Sequence, residues 1–291
     1  MNEENQNSTN ATHGWNGATR PFEPTGDPKF FYQSRQHVEA LARLEYLITQ
    51  QTMQMGMLTG EIGCGKSMVR QMLVNKLPAD KLCVVQFENS GFNFTDHLRR
   101  LLDKFGLGDF AADKRGMYDL YELVAHCMAQ LDEIYGRHLV LLFDEAQDLS
   151  TEVLTQLKML TNLNERGEGA LTIVLIGQPE LREVVARVPA VDQRISLRYH
   201  LKPMMGEDVE PYLRHRMQAA GVGMDVFTKI ACERIYHASR GIPREINRLA
   251  RLSMEVSKNR GKKMVDEEEV HIVVEDLRRH QNMPSWNSIT L

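Results

Sequence analysis

Apolar residues in the middle of the chain form short continuous runs, each about the length of one β-strand. These runs lie at 53–59, 82–87, 138–144 and 171–176. Segments with apolar residues at helical spacing follow or separate them, over 67–77, 94–105, 116–135 and 150–163. Buried strands that alternate with amphipathic helices predict an α/β fold, in which a parallel sheet carries helices on both faces.

The two ends of the chain follow other patterns. After residue 203 the strand-like runs stop, and helical spacing predicts a small all-helical domain with helices at about 206–220, 225–239, 243–258 and 266–280. Ser34 is placed to cap an earlier helix. Its apolar positions have helical spacing: Val38, Leu41, Leu44, Leu47 and Ile48. We therefore divide the chain into a disordered tail (1–20), an aromatic docking segment with a helix (21–52), an α/β core (53–203), a helical lid domain (204–280) and a second tail (281–291).

A phosphate-binding pattern joins the first strand to the next helix. The stretch GEIGCGKS at 60–67 fits G-x-x-x-x-G-K-[ST], and Met68 continues it into the helix. The nucleotide-binding residues predicted from it are Gly60, Glu61, Ile62, Gly63, Cys64, Gly65, Lys66, Ser67 and Met68. Glycines let backbone N–H groups wrap a β-phosphate, Lys66 would bridge the β- and γ-phosphates, and the Ser67 hydroxyl would hold Mg²⁺. ATP with Mg²⁺ is the predicted ligand. On the helix, we expect Met68, Met72, Leu73 and Leu77 to share one face.

An acidic pair ends the apolar run at 138–144. In a parallel sheet this end of a central strand is where ligands bind, so Asp144 is predicted to hold Mg²⁺ and Glu145 to polarise the attacking water. An acid in that second position favours hydrolysis over mere binding. Asp148 is the next candidate for orienting water.

Composition excludes several classes of protein. The chain has 291 residues and a formal net charge of −4, so no overall field draws it to nucleic acid or to an acidic membrane. Its four cysteines show no C-x-x-C spacing, which argues against a zinc site or a disulfide framework. Apolar stretches fall short of the ~20 residues of a membrane-spanning helix, and the polar N-terminus shows no signal peptide. These features predict a cytoplasmic protein with no membrane span.

The order of these motifs resembles that of the AAA+ ATPases, and short segments over about 21–280 resemble the ExeA/GspA family in particular. GQPEL at 177–181 resembles its sensor 1 segment, DQRI at 192–195 its arginine-finger segment, and GIPREINR at 241–248 its sensor 2 segment. The resemblance implies that Gln178 senses the γ-phosphate, that Arg194 acts as a catalytic finger on a neighbouring subunit, and that Arg244 contacts phosphate. Arg194 and Arg198 flank or lie in a predicted final strand, and Arg198 is the alternative finger.

The biological role has three candidates. Named ExeA/GspA proteins act in secretion and envelope assembly, although those carry a membrane span and a peptidoglycan-binding region that we do not find in this sequence. Short relatives also resemble ATPases that license a transposase at its DNA target. Residues 234–263 hold nine Lys or Arg against two Glu, a net of +7 (9 − 2), which favours DNA contact. A nucleotide switch without hydrolysis is the third candidate, and Glu145 argues against it.

The partners expected from the resemblance are copies of this chain, in a ring or filament, and a protein of a secretion or transposition machinery. DNA would bind, if at all, through the basic stretch at 234–263.

Overall fold

The structure is a computed structural model that describes residues 20–51, 53–88, 91–112, 116–165, 170–223 and 225–279. It divides into two compact units, Gln33–Lys202 and a second that joins the residues before Gln33 to those from Pro203 onward. The predicted tails at 1–20 and 281–291 lie outside the described residues, apart from Arg20. Among the described residues no helix combines the length and the apolar character that a membrane crossing requires.

The larger unit is built on a five-stranded parallel sheet. Its strands are β1 (Met55–Gly60), β2 (Leu82–Phe87), β3 (His138–Phe143), β4 (Leu171–Gly177) and β5 (Ile195–Leu201). They lie in the order β2-β3-β4-β1-β5, and every pair is parallel. The three inner strands are buried at every position, whereas β2 and β5 have partly exposed positions because they form the edges. The α/β fold predicted from the sequence is confirmed.

Helices cover both faces of this sheet. They are α1 (Arg35–Thr49), α2 (Lys66–Lys76), α3 (Phe94–Lys104), α4 (Gly108–Ala112), α5 (Met117–Tyr135), α6 (Thr151–Glu165), α7 (Leu181–Ala186) and α8 (Pro189–Asp192). Alternate residues of β3 enter opposite cores. Leu141 and Phe143 pack with side chains of α3, α5 and α6, whereas Val140 and Leu142 pack with side chains of α1 and α2. This alternation follows from the two-residue period of a strand.

The buried faces of α1 and α2 differ in detail from the predicted ones. Val38 is 43% exposed, and the adjacent His37 is buried in its place. On α2 Val69 and Leu73 are fully buried, while Met68 and Met72 are only half-buried. The other predicted positions are buried as expected, so the predicted faces are confirmed except at Val38, Met68 and Met72. Ser34 caps α1 as predicted, since its hydroxyl accepts from the His37 N–H.

His138, at the start of β3, makes the larger unit sensitive to acid. Burial lowers the pKa of this side chain to about 4, against a weaker opposing effect of Asp132. The unfolded chain therefore binds the proton first as pH falls. We expect the free energy of unfolding to drop by roughly 3 kcal/mol between about pH 6.5 and 4, at 1.36 kcal/mol per pKa unit. Urea titrations at several pH values would measure it, and His138→Gln should flatten the profile in that window. An equal slope in the variant would contradict the prediction.

The second unit is all-helical, as predicted. Its helices are α9 (Gly206–Ala219), α10 (Lys229–Ser239), α11 (Pro243–Asn259) and α12 (Glu267–Arg279). Phe22 and Phe30 from the aromatic N-terminal segment are buried, and Phe22 belongs to the core that these helices form. Arg216 of α9 donates to the carbonyls of Pro21 and Glu23 and lies over the Phe30 ring, 4.6 Å from its centroid. The segment that we grouped with α1 thus belongs with the helical unit up to Tyr32.

Candidate active site

The order of the strands brings the candidate residues of the larger unit together at one edge of the sheet, the one formed by the carboxyl ends of its strands. Gly60 ends β1, Asp144 follows β3 and Gln178 follows β4. Because β4 lies between β1 and β3, its carboxyl end lies between the phosphate-binding loop and the acidic pair. Neighbouring parallel strands with connections on opposite faces open a crevice at this edge, which is where ligands bind in such sheets.

The phosphate-binding loop is held in shape by its own lysine. Lys66 is the first residue of α2, and its Nζ donates to the Gly60 carbonyl at 2.7 Å and to the Glu61 carbonyl at 3.1 Å. An ammonium group has three donors, so these two carbonyls account for two of them. Burial lowers the pKa of Lys66, and the nearby Glu145 opposes this most strongly. The loop therefore concentrates a buried positive charge at the N-terminus of a helix, which attracts anions.

Two glycines of the loop allow backbone approaches that a side chain would block. Gly65 has φ = 99°, a left-handed conformation, and a Cβ there would lie 2.6 Å from Nε2 of His37. At Gly60 a Cβ would meet the Leu201 carbonyl oxygen at 2.6 Å. These close approaches explain why the loop requires glycine at both positions.

The remaining side chains of the loop differ in their exposure to solvent. Glu61, Ile62 and Ser67 are exposed, so the Ser67 hydroxyl is accessible to a ligand. Cys64 is buried, and burial raises the pKa of its thiol to about 11. Its contribution to binding is consequently limited to its backbone groups. Met68, which we predicted as a nucleotide contact, is half-buried on α2.

Asp144 is held by a partner that the sequence patterns did not identify. Its Oδ2 lies 3.1 Å from Nε of Arg70, and its Oδ1 accepts from the Glu145 N–H at 3.0 Å. Burial raises the pKa of Asp144, and the Arg70 guanidinium is the strongest opposing influence. Arg70 also donates to Gln86 at 2.6 Å. Arg70 follows Lys66 by one helical turn, a spacing that places both cations on the same side of α2.

Glu145 is oriented by two amides. Its backbone has φ = 49°, a left-handed conformation that is uncommon for a residue with a side chain. Oε2 accepts from Nε2 of Gln147 at 2.9 Å and from Nε2 of Gln178 at 3.4 Å, and Oε1 of Gln147 accepts from the Gln178 N–H at 2.9 Å. The structure thus brings Gln178 and Glu145 together. Gln147 was missed, although its position two residues after Glu145 was a signal. Asp148 is exposed nearby.

Arg194 lies at the opposite edge of the sheet, where the amino ends of the strands lie. Its Nη1 donates to Oε1 of Gln54 at 3.1 Å and to the hydroxyl of Thr161. Gln54 precedes β1, so the length of that strand separates it from Gly60, roughly 20 Å at ~3.3 Å per residue. Within one chain, Arg194 and the phosphate-binding loop are not brought together. Arg198 is exposed on β5 and forms an ion pair with Asp192 at 2.8 Å.

Arg244 lies in the helical unit. It is exposed in the first turn of α11, directly after Pro243. A cation in that turn is unfavourable for the helix dipole, which leaves phosphate contact as a prediction for this side chain.

The residues at the sheet edge suit a nucleotide with its magnesium ion. The described residues contain no group of three or more His, Cys, Asp or Glu side chains arranged to bind a metal ion. Mg²⁺ bound with nucleotides needs only one or two protein oxygens, because phosphates and water supply the rest. Ser67 and Asp144 provide such oxygens, and the glycine-lined loop with its buried lysine provides a phosphate cradle.

The class of protein follows from a match between residues 49–185 and the family model described as an AAA domain. That range contains the phosphate-binding loop, the acidic pair and Gln178, so the part of the chain that carries the candidate site is an AAA domain. Over 272 residues it is 35% identical to general secretion pathway protein A of Aeromonas hydrophila, which confirms the resemblance to the ExeA/GspA family. The match covers 92% of this chain and 48% of that protein, so the chain spans about half the length of this relative.

Several solved structures share this fold. The ORC2 protein of Aeropyrum pernix, in ADPNP and ADP complexes, has a TM-score of 0.63 at 14% identity over 88% of this chain and 74% of its own. Cdc6p of Pyrobaculum aerophilum has a TM-score of 0.62 at 16% identity, over 84% and 67%. The RuvB branch migration motor of Thermotoga maritima has 0.58 at 15% identity, over 89% and 74%. At such identities the likeness establishes the fold alone.

Proposed function

We propose that this AAA+ ATPase hydrolyses ATP with Mg²⁺ as an oligomer, and that the hydrolysis drives or regulates assembly of a secretion-type partner machinery. The observation that supports the chemistry is the convergence of Lys66, Asp144, Glu145 and Gln178 on one sheet edge. The support for the secretion role is the identity to general secretion pathway protein A, which extends over nearly all of this chain.

Each residue has a distinct role in this proposal. Lys66 and the loop N–H groups hold the β- and γ-phosphates, and Ser67 and Asp144 hold Mg²⁺, which supplies neutralisation of phosphate charge when it is bound. Glu145 accepts the proton of the attacking water. The amides of Gln147 and Gln178 fix the orientation of the Glu145 carboxylate, because both donate to its Oε2.

The transposition alternative rests on the basic stretch at 234–263, and the ion pairs of the helical unit weaken it. Acids elsewhere in the unit pair with several of its cations: Arg234 with Glu267, Arg251 with Glu23, Arg260 with Glu268 and Glu269, and Lys262 with the same two glutamates. A cation that already has a carboxylate partner contributes less to phosphate binding. These ion pairs therefore reduce the support for DNA contact through this stretch.

The position of Arg194 supports an active site shared between subunits. An arginine at the far edge of the sheet cannot serve the loop of its own chain, but it can serve a neighbour in a head-to-tail assembly. We expect specific ATPase activity to rise with protein concentration. Arg194→Ala and Lys66→Ala should each be inactive alone, and an equimolar mixture should regain up to about a quarter of wild-type activity, because each head-to-tail interface draws two members at random.

Arg198→Ala is the matched control for this mixing test, since it removes an exposed arginine from the same strand region. If Arg198→Ala is inactive and complements Lys66→Ala instead, Arg198 is the finger. Absence of both complementation and concentration dependence, with folded and oligomeric variants, would refute the shared site while leaving the nucleotide site intact.

A further inference from the structure

His37 connects helix α1 to the phosphate-binding loop. It is 4% exposed, and its two ring nitrogens lie 3.0 Å from the Cys64 carbonyl oxygen (Nε2) and 2.6 Å from the Ser34 hydroxyl (Nδ1). A carbonyl oxygen only accepts, so Nε2 carries the proton in this arrangement. Nδ1 then accepts from the hydroxyl of Ser34, the residue that caps α1. The helix cap, the imidazole and the loop carbonyl thus form one hydrogen-bonded chain.

The contact with His37 determines the direction of a backbone donor in the loop. In a trans peptide the C=O and N–H groups point in opposite directions from the same plane. Because the Cys64 carbonyl points at the imidazole of α1, the N–H of Gly65 in the same peptide plane points away from α1. Phosphate binding by such loops depends on N–H groups that are already aimed at the anion.

Gly65 and His37 also fit each other sterically. A Cβ at Gly65 would lie 2.6 Å from Nε2 and 3.3 Å from Cδ2 of His37, so the ring occupies the space that a side chain at Gly65 would need. The left-handed backbone of Gly65 and the position of the ring therefore support one loop conformation together. Ordinary core packing would need no donor aimed at the loop, and a buried apolar side chain would serve it better.

We propose that His37 is a positioning residue that holds the Cys64–Gly65 peptide in the orientation that binds a β-phosphate. This inference rests on the proposed nucleotide function, and it assigns to α1, outside the phosphate-binding motif, a part in preorganising it. Loss of His37 should therefore weaken phosphate binding, because His37 orients a backbone N–H of the loop that donates to the phosphate.

Two substitutions of similar chemistry separate positioning from packing. The amide nitrogen of Gln lies at about the reach of Nε2, so His37→Gln keeps a donor for the Cys64 carbonyl. The amide of Asn reaches only the level of Nδ1, so His37→Asn loses that donor. The readout is the ratio of dissociation constants for AMP and ADP, because only ADP presents a β-phosphate. We expect His37→Asn to lower this preference for ADP roughly tenfold, and His37→Gln to restore most of it.

His138→Gln is the control, since it alters another buried histidine, at the opposite edge of the sheet, and should leave the ADP preference unchanged at pH 8. Equal ADP preference in His37→Asn and wild type, or equal loss in both His37 variants, would overturn the proposal. If His37→Asn does not fold, Ser34→Ala replaces it, with an expected loss of about threefold, and an unchanged preference overturns the proposal as well. Failure of the wild type itself to prefer ADP would refute the nucleotide function, which is a separate result.

Discussion

Lys66→Ala is expected to abolish nucleotide binding, with a loss of affinity of at least about 10³-fold. The substitution removes a cation that burial has already stripped of water, and a charge-assisted contact with phosphate is strongest in such surroundings. It also removes the donor shared by the Gly60 and Glu61 carbonyls, so the loop loses the two hydrogen bonds that stabilise its conformation. Titration with a fluorescent ATP analogue would measure the loss.

Lys76→Ala is the matched control for this experiment. It removes a lysine from the same helix, but that lysine is exposed and pairs with Glu45 at 2.6 Å. A surface pair of this kind contributes only about 0–1 kcal/mol, so both folding and nucleotide affinity should be close to wild type. Wild-type nucleotide affinity in Lys66→Ala would refute the proposal that this loop binds the phosphates of the nucleotide.

Glu145→Gln is expected to leave ATP bound and to lower turnover about 10³-fold, within the 10²–10⁴ range of general base catalysis. The change keeps the size of the side chain, and its amide oxygen can still accept from Gln147 and Gln178. What it removes is the group that takes the proton of water. Binding by titration and turnover by phosphate release should therefore separate in this one variant.

Asp148→Asn tests the alternative base in the same assay. Asp148 is exposed, and its backbone N–H, which donates to the Glu145 carbonyl, is retained in the variant, so its substitution should change turnover by less than about threefold. Normal turnover in Glu145→Gln together with a large loss in Asp148→Asn would assign the role to Asp148. Normal turnover in both variants would mean that neither acid orients the water.

The sheet was predictable because its inner strands are buried on both faces and read as continuous apolar runs. Their order was not, since periodicity says which faces are buried but not which strands are neighbours. The position of β4 between β1 and β3 brings Gln178 to Glu145, and it follows from packing across the whole sheet. The short helices α7 and α8 were also missed, because four to six residues give too little periodicity.

The side chains that support the site were less predictable than those of the motifs. Arg70 and His37 belong to no recognised pattern, and each acts through a contact with another element. His37 in particular lies on the buried face of α1, where the sequence favoured its apolar neighbour Val38. The charge of the basic stretch at 234–263 was only partly predictable, because acids distant in sequence pair with some of its cations, for example Glu23 with Arg251 and Glu269 with Arg260.

The burial of the cysteines has a practical consequence for labelling chemistry. Burial raises the pKa of each of the four thiols, to about 11 for Cys64 and about 12 for Cys232. At pH 7 a thiol with a pKa near 11 is ionised in roughly one molecule in ten thousand, and maleimides react with the thiolate. A single cysteine introduced at the exposed Ile62 would therefore react ahead of Cys64 and Cys232, and after replacement of the half-buried Cys83 and Cys127 a dye placed there would report on ligands entering the loop.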